Sequence, residues 1–269
     1  MVKLVVAYDG RGFFGSQRQA GKRTVQGELE RAIEEVVGFP VPAYLAGRTD
    51  QGVHAVGQVA SLADHRPDLR DQTALKALNA HLPDDLAITF VERKPLGFHA
   101  RYDAQWREYR YRLWTGVRQP LAAGFVWQRP GSLDLDAMNA AAARLVGTHD
   151  VASFAGGGEG VPGSERQSKA RGTTRTILVC DVRQICPWWG TGETVATLLE
   201  LRIAADGFLP RMVRSVTGAL VEIGRGARPA TWIDELLASR DRRLGPTTAP
   251  ADGLTLWRVG YDEDDPRDG

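Results

Sequence analysis

Apolar residues along the first hundred positions change from strand-like to helical spacing and back. Lys3 to Tyr8 is a short β-branched run, which predicts a strand. Apolar residues then recur at helical spacing after Thr24, a residue type that caps helix N-termini, and Gly38 ends the pattern. Two strands are predicted next, within Pro42 to Ala46 and Val53 to Leu62. A second helix within Leu75 to Leu82 and a fourth strand within Ile88 to Val91 follow. This order is typical of ferredoxin-like, split βαβ folds.

A similar order recurs after a connector from Gly97 to Ala104. The predicted elements are a strand around Tyr109 to Leu113, a helix from Leu135 to Leu145, strands from Thr176 to Gln184 and Thr194 to Ala204, helices from Leu209 to Ile223 and Trp232 to Ser239, and a last strand from Leu254 to Tyr261. A glycine-rich loop, Gly156 to Arg171, interrupts them and is expected to move.

The predicted fold class is therefore α+β, with two similar ferredoxin-like lobes whose antiparallel sheets carry helices on one side. The lobes are expected at residues 1–104 and 105–262, and the acidic tail 263–269 is expected to be disordered. Clefts between lobes are common ligand sites, so we expect the substrate in a central cleft that the two lobes flank.

Composition narrows the functional classes. Apolar residues make up 43% of the 269 residues, enough for a sizeable core. Because Met1 to Gly10 resembles a strand rather than a cleavable leader, and no run approaches the roughly 20 apolar residues of a membrane span, we expect a cytoplasmic protein. Cys180, Cys186 and five scattered histidines match neither a disulfide framework nor a metal site.

The net charge is only +1, but the charged residues are unevenly distributed along the chain. Acidic residues crowd the C-terminal tail, whereas arginines recur in three groups, at 101–118, 166–175 and 211–228. These groups are either solvated faces of strands and helices or parts of one phosphate-binding groove.

Between the second and third predicted strands lies the charged, glycine-flanked turn Ala46 to Ala55, with Asp50 at its centre. Gly47 and Gly52 allow a tight turn or a close approach of the backbone. The Asp50 side chain either caps amide groups of the turn or presents a carboxylate for chemistry.

The run from Ala46 to Ala55 resembles the Gly-Arg-Thr-Asp-x-Gly-Val-His signature of the tRNA pseudouridine synthase A family. Further blocks in the order of that family cover nearly the whole chain: Ala7-Tyr8-Asp9-Gly10 with Phe14-Gly15 and Gln17, Phe98-His99-Ala100-Arg101-Tyr102, Tyr109-Arg110-Tyr111, Phe208 with Met212-Val213-Arg214, and Gly253-Leu254. The sequence departs from the family pattern at Ser16, where an aromatic residue is usual.

The resemblance implies an isomerase that converts uridine to pseudouridine at positions 38 to 40 of the tRNA anticodon stem-loop, working as a homodimer without metal or cofactor. It implies that Asp50 is the nucleophile, that Arg48 contacts the substrate or replaces the extracted base, and that Arg214 pairs with Asp50. It also implies that Tyr109 stacks on the uracil and that Leu254 forms an apolar wall of the same pocket.

Without the resemblance, Arg48 is either a surface residue that stabilises the turn or a charged neighbour of Asp50. The helical wheel places Arg214 on a solvated surface, and Tyr109 and Leu254 are typical core residues. Two competing functions are a non-catalytic RNA-binding protein of the same fold and a nucleoside hydrolase. The intact Asp50, Arg48 and Tyr109 argue against the first. The absence of an evident second carboxylate near the motif argues against the second.

Overall fold

The computed structural model describes residues 1–156, 172–190, 196–261 and 265–268, so the glycine-rich loop lies almost wholly outside the described residues. The chain forms two compact units. The first contains Met1–Arg107 and Thr255–Asp265, and the second contains Glu108–Leu254 and Pro266–Gly269. The predicted α+β class is confirmed.

The first unit has the predicted order of strands and helices. Its elements are β1 (Val2–Tyr8), α1 (Val25–Val37), β2 (Tyr44–Leu45), β3 (His54–Leu62), α2 (Asp71–Asn79), β4 (Leu86–Arg93) and most of β10 (Leu254–Gly260). β1 lies between β3 and β4 and pairs antiparallel with both, and β2 pairs antiparallel with β3. This is the ferredoxin-like arrangement.

Helix α1 begins and ends where the sequence predicts. The Thr24 hydroxyl accepts the Gly27 N–H, and Gly38 closes the helix in the left-handed conformation. Leu29 and Ile33 point inward from this helix and are buried. Ile33, Leu4 of β1 and Leu78 of α2 line one small apolar cavity, which shows that both helices pack on the sheet.

The last strand differs from the prediction, which assigned it to the C-terminal lobe. Residues 255–260 belong to the first unit, because β10 pairs with β3 in parallel, with Thr255 opposite His54. The prediction of purely antiparallel sheets is wrong for this pairing. A Cβ atom at Gly57 would lie 2.2 Å from the Trp257 carbonyl oxygen, so glycine is needed for this close approach.

The second unit contains a sheet with the strand order β5-β9-β8-β7, and β6 pairs in parallel with β5. Its elements are most of β5 (Trp106–Trp114), β6 (Trp127–Gln128), α3 (Leu135–Ala143), β7 (Gly147–Asp150), β8 (Thr174–Ile185), β9 (Leu198–Ala205), α4 (Met212–Gly224) and α5 (Trp232–Ser239). Strands β7, β8 and β9 pair antiparallel. The sequence pattern did not predict β6 or β7.

Helix α4 packs against the segment that precedes β10. A Cβ atom at Gly218 would lie 1.9 Å from the Thr247 carbonyl oxygen, so glycine brings the helix and this segment together. The Ala249 N–H donates to the Arg214 carbonyl oxygen at 3.1 Å, so the same segment is also bonded to the helix one turn before Gly218. The N-terminal part of α4 is thereby held in place.

The two sides of β5 differ in chemistry. Tyr109 and Tyr111 share one side and are buried, whereas Glu108, Arg110 and Arg112 share the other. The Glu108 carboxylate accepts from Arg110 and from Arg202 of β9. The acidic tail is described in part, and Pro266–Asp268 form a short 3-10 turn whose Pro266 carbonyl oxygen accepts from Arg202.

Candidate active site

Asp50 lies on a short loop between β2 and β3, and two hydrogen bonds hold the start of this loop against β3. The Ala46 N–H donates to the Val59 carbonyl oxygen at 2.8 Å, and the Gln58 amide donates to the Gly47 carbonyl oxygen at 2.9 Å. Gly52 has a φ of 82°, the left-handed conformation that favours glycine, and the Val53 N–H returns to the Asp50 carbonyl oxygen at 3.2 Å. The loop is a closed turn that exposes the Asp50 side chain.

Thr49, the residue before Asp50, is buried and bonded through all its polar groups. Its N–H donates to the Ser16 Oγ at 2.9 Å, and its carbonyl oxygen accepts the Ser16 N–H at 3.1 Å. Its hydroxyl shares a hydrogen bond of 2.8 Å with the Tyr8 hydroxyl. Thr49 is buried, whereas its neighbours Arg48 and Asp50 are both exposed.

Gly15 makes the contact between Ser16 and Thr49 possible. Its φ is 86°, and a Cβ atom there would lie 2.9 Å from the Thr49 carbonyl oxygen. Burial raises the pKa of Tyr8 to about 12, although its hydrogen bonds with Thr49 and Gln58 oppose the shift, so this phenol keeps its proton. Ser16, which departs from the family pattern, and Tyr8 thus both support the loop, and this role of Tyr8 was not predicted from the sequence.

The other end of the loop rests on the turn after β1. The Gly10 N–H donates to His54 Nδ1 at 3.1 Å, and a Cβ atom at Gly10 would lie 2.1 Å from the Val53 carbonyl oxygen. His54 Nδ1 also lies 3.3 Å from an Asp9 carboxylate oxygen. Hydrogen bonds from Arg11 lower the pKa of Asp9, so this carboxylate is charged at neutral pH.

Arg48 and Arg101 place two positive charges beside the loop. Burial and the nearby Arg101 guanidinium lower the pKa of Arg48. Within the described part of the chain, neither guanidinium forms a hydrogen bond or an ion pair. This pair of cations therefore favours an anion at the same place.

The other three predicted site residues belong to the second unit. The Tyr109 ring is buried and packs edge-on against Phe208, with ring centroids 5.1 Å apart. Arg214 lies on α4, is half-buried, and donates from Nε to the Ala249 carbonyl oxygen at 2.7 Å. Leu254 is buried at the start of β10, and its N–H donates to the Ala251 carbonyl oxygen. The half-buried position of Arg214 differs from the solvated surface expected from the sequence without the resemblance.

Tyr111 organises the surroundings of Arg214 and Leu254, a role that was not predicted from the sequence. Its hydroxyl donates to the Pro250 carbonyl oxygen at 2.9 Å, and its ring occupies the space that a Cβ atom at Gly253 would need. Burial raises the pKa of Tyr111, and the Arg214 charge opposes that shift, so the guanidinium lies near the phenol. The sequence pattern that could have indicated this role is the spacing of Tyr111, two residues after the candidate site residue Tyr109 and therefore on the same face of the strand.

Among the described residues, no group of three His, Cys, Asp or Glu side chains is arranged to hold a metal ion. Cys180 is buried and Cys186 exposed, and both are free thiols. No helix in the described ranges is long and apolar enough to cross a membrane.

Comparison with known proteins identifies the family. The family model described as tRNA pseudouridine synthase matches residues 4–103 and 141–262. The chain belongs to this family. It is therefore an isomerase, of the class that converts uridine to pseudouridine.

Relatives in this family match over nearly their full length. The tRNA pseudouridine synthase A of Geobacillus kaustophilus is 41% identical over 98% of this chain and 95% of its own length. The protein of the same name from Nitratidesulfovibrio vulgaris is 46% identical over 96% of this chain and 98% of its own length. The predicted resemblance is confirmed.

We predict that Ser16→Ala destabilises this synthase by about 1–3 kcal/mol, because it leaves the buried Thr49 N–H without an acceptor. Chemical denaturation followed by circular dichroism measures the change. The exposed neighbour Gln17 supplies the control Gln17→Ala, expected within about 0.5 kcal/mol of the wild type. Equal stability of the two variants would contradict the support that we assign to Ser16.

Proposed function

We propose that this enzyme converts uridine to pseudouridine in the anticodon stem-loop of tRNA, at positions 38 to 40, with Asp50 as the nucleophile. The observation that carries the proposal is the exposed Asp50 carboxylate on a loop whose preceding residue, Thr49, is bonded through every polar group. Family membership and the names of the relatives, tRNA pseudouridine synthase A, support uridine in tRNA as the target.

The reaction needs a nucleophile and a positioned base, and it involves no net redox change. The bond from uracil N1 to the ribose breaks, the base turns, and a bond forms from C5 while the C5 proton is lost and N1 gains one. An ionised carboxylate can carry a covalent intermediate through this exchange and divide one difficult step into two. A rigid loop favours this chemistry because the nucleophile is already oriented when the substrate arrives.

The other site residues have separate roles in the proposed mechanism. Arg48 contacts the substrate strand or takes the place of the extracted uracil, since its guanidinium is exposed beside the nucleophile. Tyr109 stacks on the target uracil, and its hydroxyl assists the loss of the C5 proton. Leu254 supplies an apolar wall for the base.

Arg214 orients the nucleophile in the proposed complex with tRNA. Its planar guanidinium can pair with the Asp50 carboxylate through two parallel hydrogen bonds. The bond from Arg214 Nε to the Ala249 carbonyl oxygen supports this role, because it fixes the direction in which the guanidinium points.

A non-catalytic RNA-binding role is not favoured, because the chain belongs to an enzyme family and keeps the aspartate. We further propose a cytoplasmic homodimer in which both subunits contact one tRNA. Sedimentation of the purified protein tests the dimer, and a strict monomer would contradict it.

Asp50→Asn is expected to abolish pseudouridine formation while tRNA affinity stays within about twofold of the wild type, because the carboxylate is needed only for covalent chemistry. The assay follows mass-neutral conversion of uridine in an unmodified tRNA transcript and maps the modified position. Product from purified Asp50→Asn would refute the nucleophile. Absence of product from the wild type, or product outside the anticodon stem-loop, would refute the proposed function.

Arg214→Lys should slow single-turnover catalysis at least tenfold without a matching loss of tRNA affinity, because lysine keeps the charge but loses the planar fork. The control is Arg225→Lys, at the exposed C-terminal end of the same helix, which should leave the rate unchanged. Rates measured with saturating enzyme separate chemistry from binding. A wild-type rate for Arg214→Lys would show that Arg214 does not orient Asp50.

A further inference from the structure

Three aromatic rings form an exposed stack in the first unit. The His99 ring contacts both Tyr44 and Tyr102, with centroid distances of 5.1 Å and 4.3 Å, and is tilted against them by 39° and 36°. Tyr44 is 48% exposed and Tyr102 is 55% exposed. Large aromatic rings usually bury most of their area, so a stack with both outer rings exposed offers a surface for another planar group.

Hydrogen bonds hold the turn that carries this stack. The His99 N–H donates to an Asp103 carboxylate oxygen at 2.8 Å, and the Arg101 N–H donates to His99 Nδ1 at 3.1 Å. The Ala100 N–H donates to the Ser61 Oγ at 2.9 Å. Ser61 pairs with Tyr44 between β3 and β2, so the turn is fastened beside the strand that supplies the first ring. The three rings therefore form a preorganised surface.

Arg107 joins the stack to the loop of the nucleophile. One of its terminal nitrogens, Nη2, donates to the Arg101 carbonyl oxygen at 2.7 Å and to the Ala46 carbonyl oxygen at 3.0 Å. Ala46 begins the sequence signature that contains Arg48 and Asp50. The aromatic turn and the catalytic loop are thus fixed relative to each other within one unit.

The charge beside the stack is positive. Arg101 lies on the same turn, and it is close enough to Arg48 to lower the pKa of that residue. As described above, neither guanidinium has a hydrogen bond or ion pair among the described residues. Burial lowers the pKa of His99, so its ring is neutral at physiological pH and stacks as a flat aromatic group.

We propose that Tyr44, His99 and Tyr102, together with Arg48 and Arg101, form a subsite for an unpaired nucleotide of the RNA that lies next to the target uridine. The base stacks on the exposed face of Tyr102, and a phosphate of the same strand is bound by the two guanidinium groups. This inference rests on the proposed function and adds a second binding position to the same site.

The combination of features favours a nucleotide over other ligands. An exposed aromatic face accepts any unpaired base, because every base has a π surface. A phosphate compensates two adjacent guanidinium groups. A second protein chain that covered these rings would need an acidic group opposite both arginines.

A series of anticodon stem-loop hairpins with 2-aminopurine at single loop positions tests the stacking. Wild-type protein should quench the fluorescence at one position, and Tyr102→Ala should abolish this quenching and weaken binding roughly 5- to 150-fold. Tyr102→Phe keeps the ring and should behave as the wild type. The matched control is Phe39→Ala, which removes another exposed ring that packs on a histidine, His65, and should change neither signal.

The phosphate contact has its own measurement. Arg101→Gln should reduce the slope of log affinity against log salt concentration by about 0.7 to 0.9, the value for one lost phosphate contact. Tyr102→Ala should leave that slope unchanged, because stacking releases no counterions.

Each outcome decides the inference. Suppose that the wild type forms pseudouridine but that Tyr102→Ala quenches the 2-aminopurine fluorescence and binds the hairpin as Phe39→Ala does. The subsite is then refuted, while the proposed function stands. If Tyr102→Ala instead shifts the sedimentation of the protein and leaves RNA binding intact, the stack is a contact between protein chains and the subsite is also refuted. An unchanged salt slope for Arg101→Gln refutes the phosphate contact.

Discussion

The hydrogen bonds of Thr49 are the constraint on which the candidate site depends. Thr49 bonds through its N–H, carbonyl and hydroxyl groups to Ser16 and Tyr8. Leaving a buried polar group without a partner costs about 1–3 kcal/mol, so a loop conformation that frees Thr49 is disfavoured. Arg48 and Asp50 flank this buried residue and are both exposed, so the bonds that hold Thr49 also hold the backbone that carries these two side chains. One buried residue thereby supports the positions of both candidate site residues.

The sheet of the first unit supplies the partners of Thr49. Tyr8 ends β1, and an irregularity in the pairing of β1 with β3 between Val6 and Tyr8 changes the register just before this residue. Such bulges redirect side chains at strand ends. Ser16 follows on the segment that leads to α1, and Gly15 has the positive φ that lets the two backbones meet. The ferredoxin-like fold thus brings residues 33 and 41 positions apart in sequence onto one threonine.

The sequence predicts local structure better than long-range partners. The bounds of α1 follow from Thr24 and Gly38, and the predicted range of α5 is the observed one, because caps and helical spacing are local signals. The residues Asp50, Arg48, Tyr109, Arg214 and Leu254 come from the family resemblance. The partners of Thr49 and the pairing of β10 with β3 could not be predicted, because hydrogen bonds between distant segments leave no pattern in the spacing of apolar residues. Ser16 shows this most plainly, since its departure from the family pattern gave no indication that its hydroxyl supports the loop.

Trapping the covalent intermediate tests most directly whether this loop presents the nucleophile. In tRNA transcribed with 5-fluorouridine, fluorine replaces the C5 proton that must leave. A carboxylate that has added to the pyrimidine ring is released only when that proton leaves, so with fluorine at C5 the covalent adduct accumulates. Nuclease and protease digestion followed by mass spectrometry then locates the bond between protein and nucleotide. We expect the adduct on the peptide that contains Asp50. An adduct on any other residue would contradict the account.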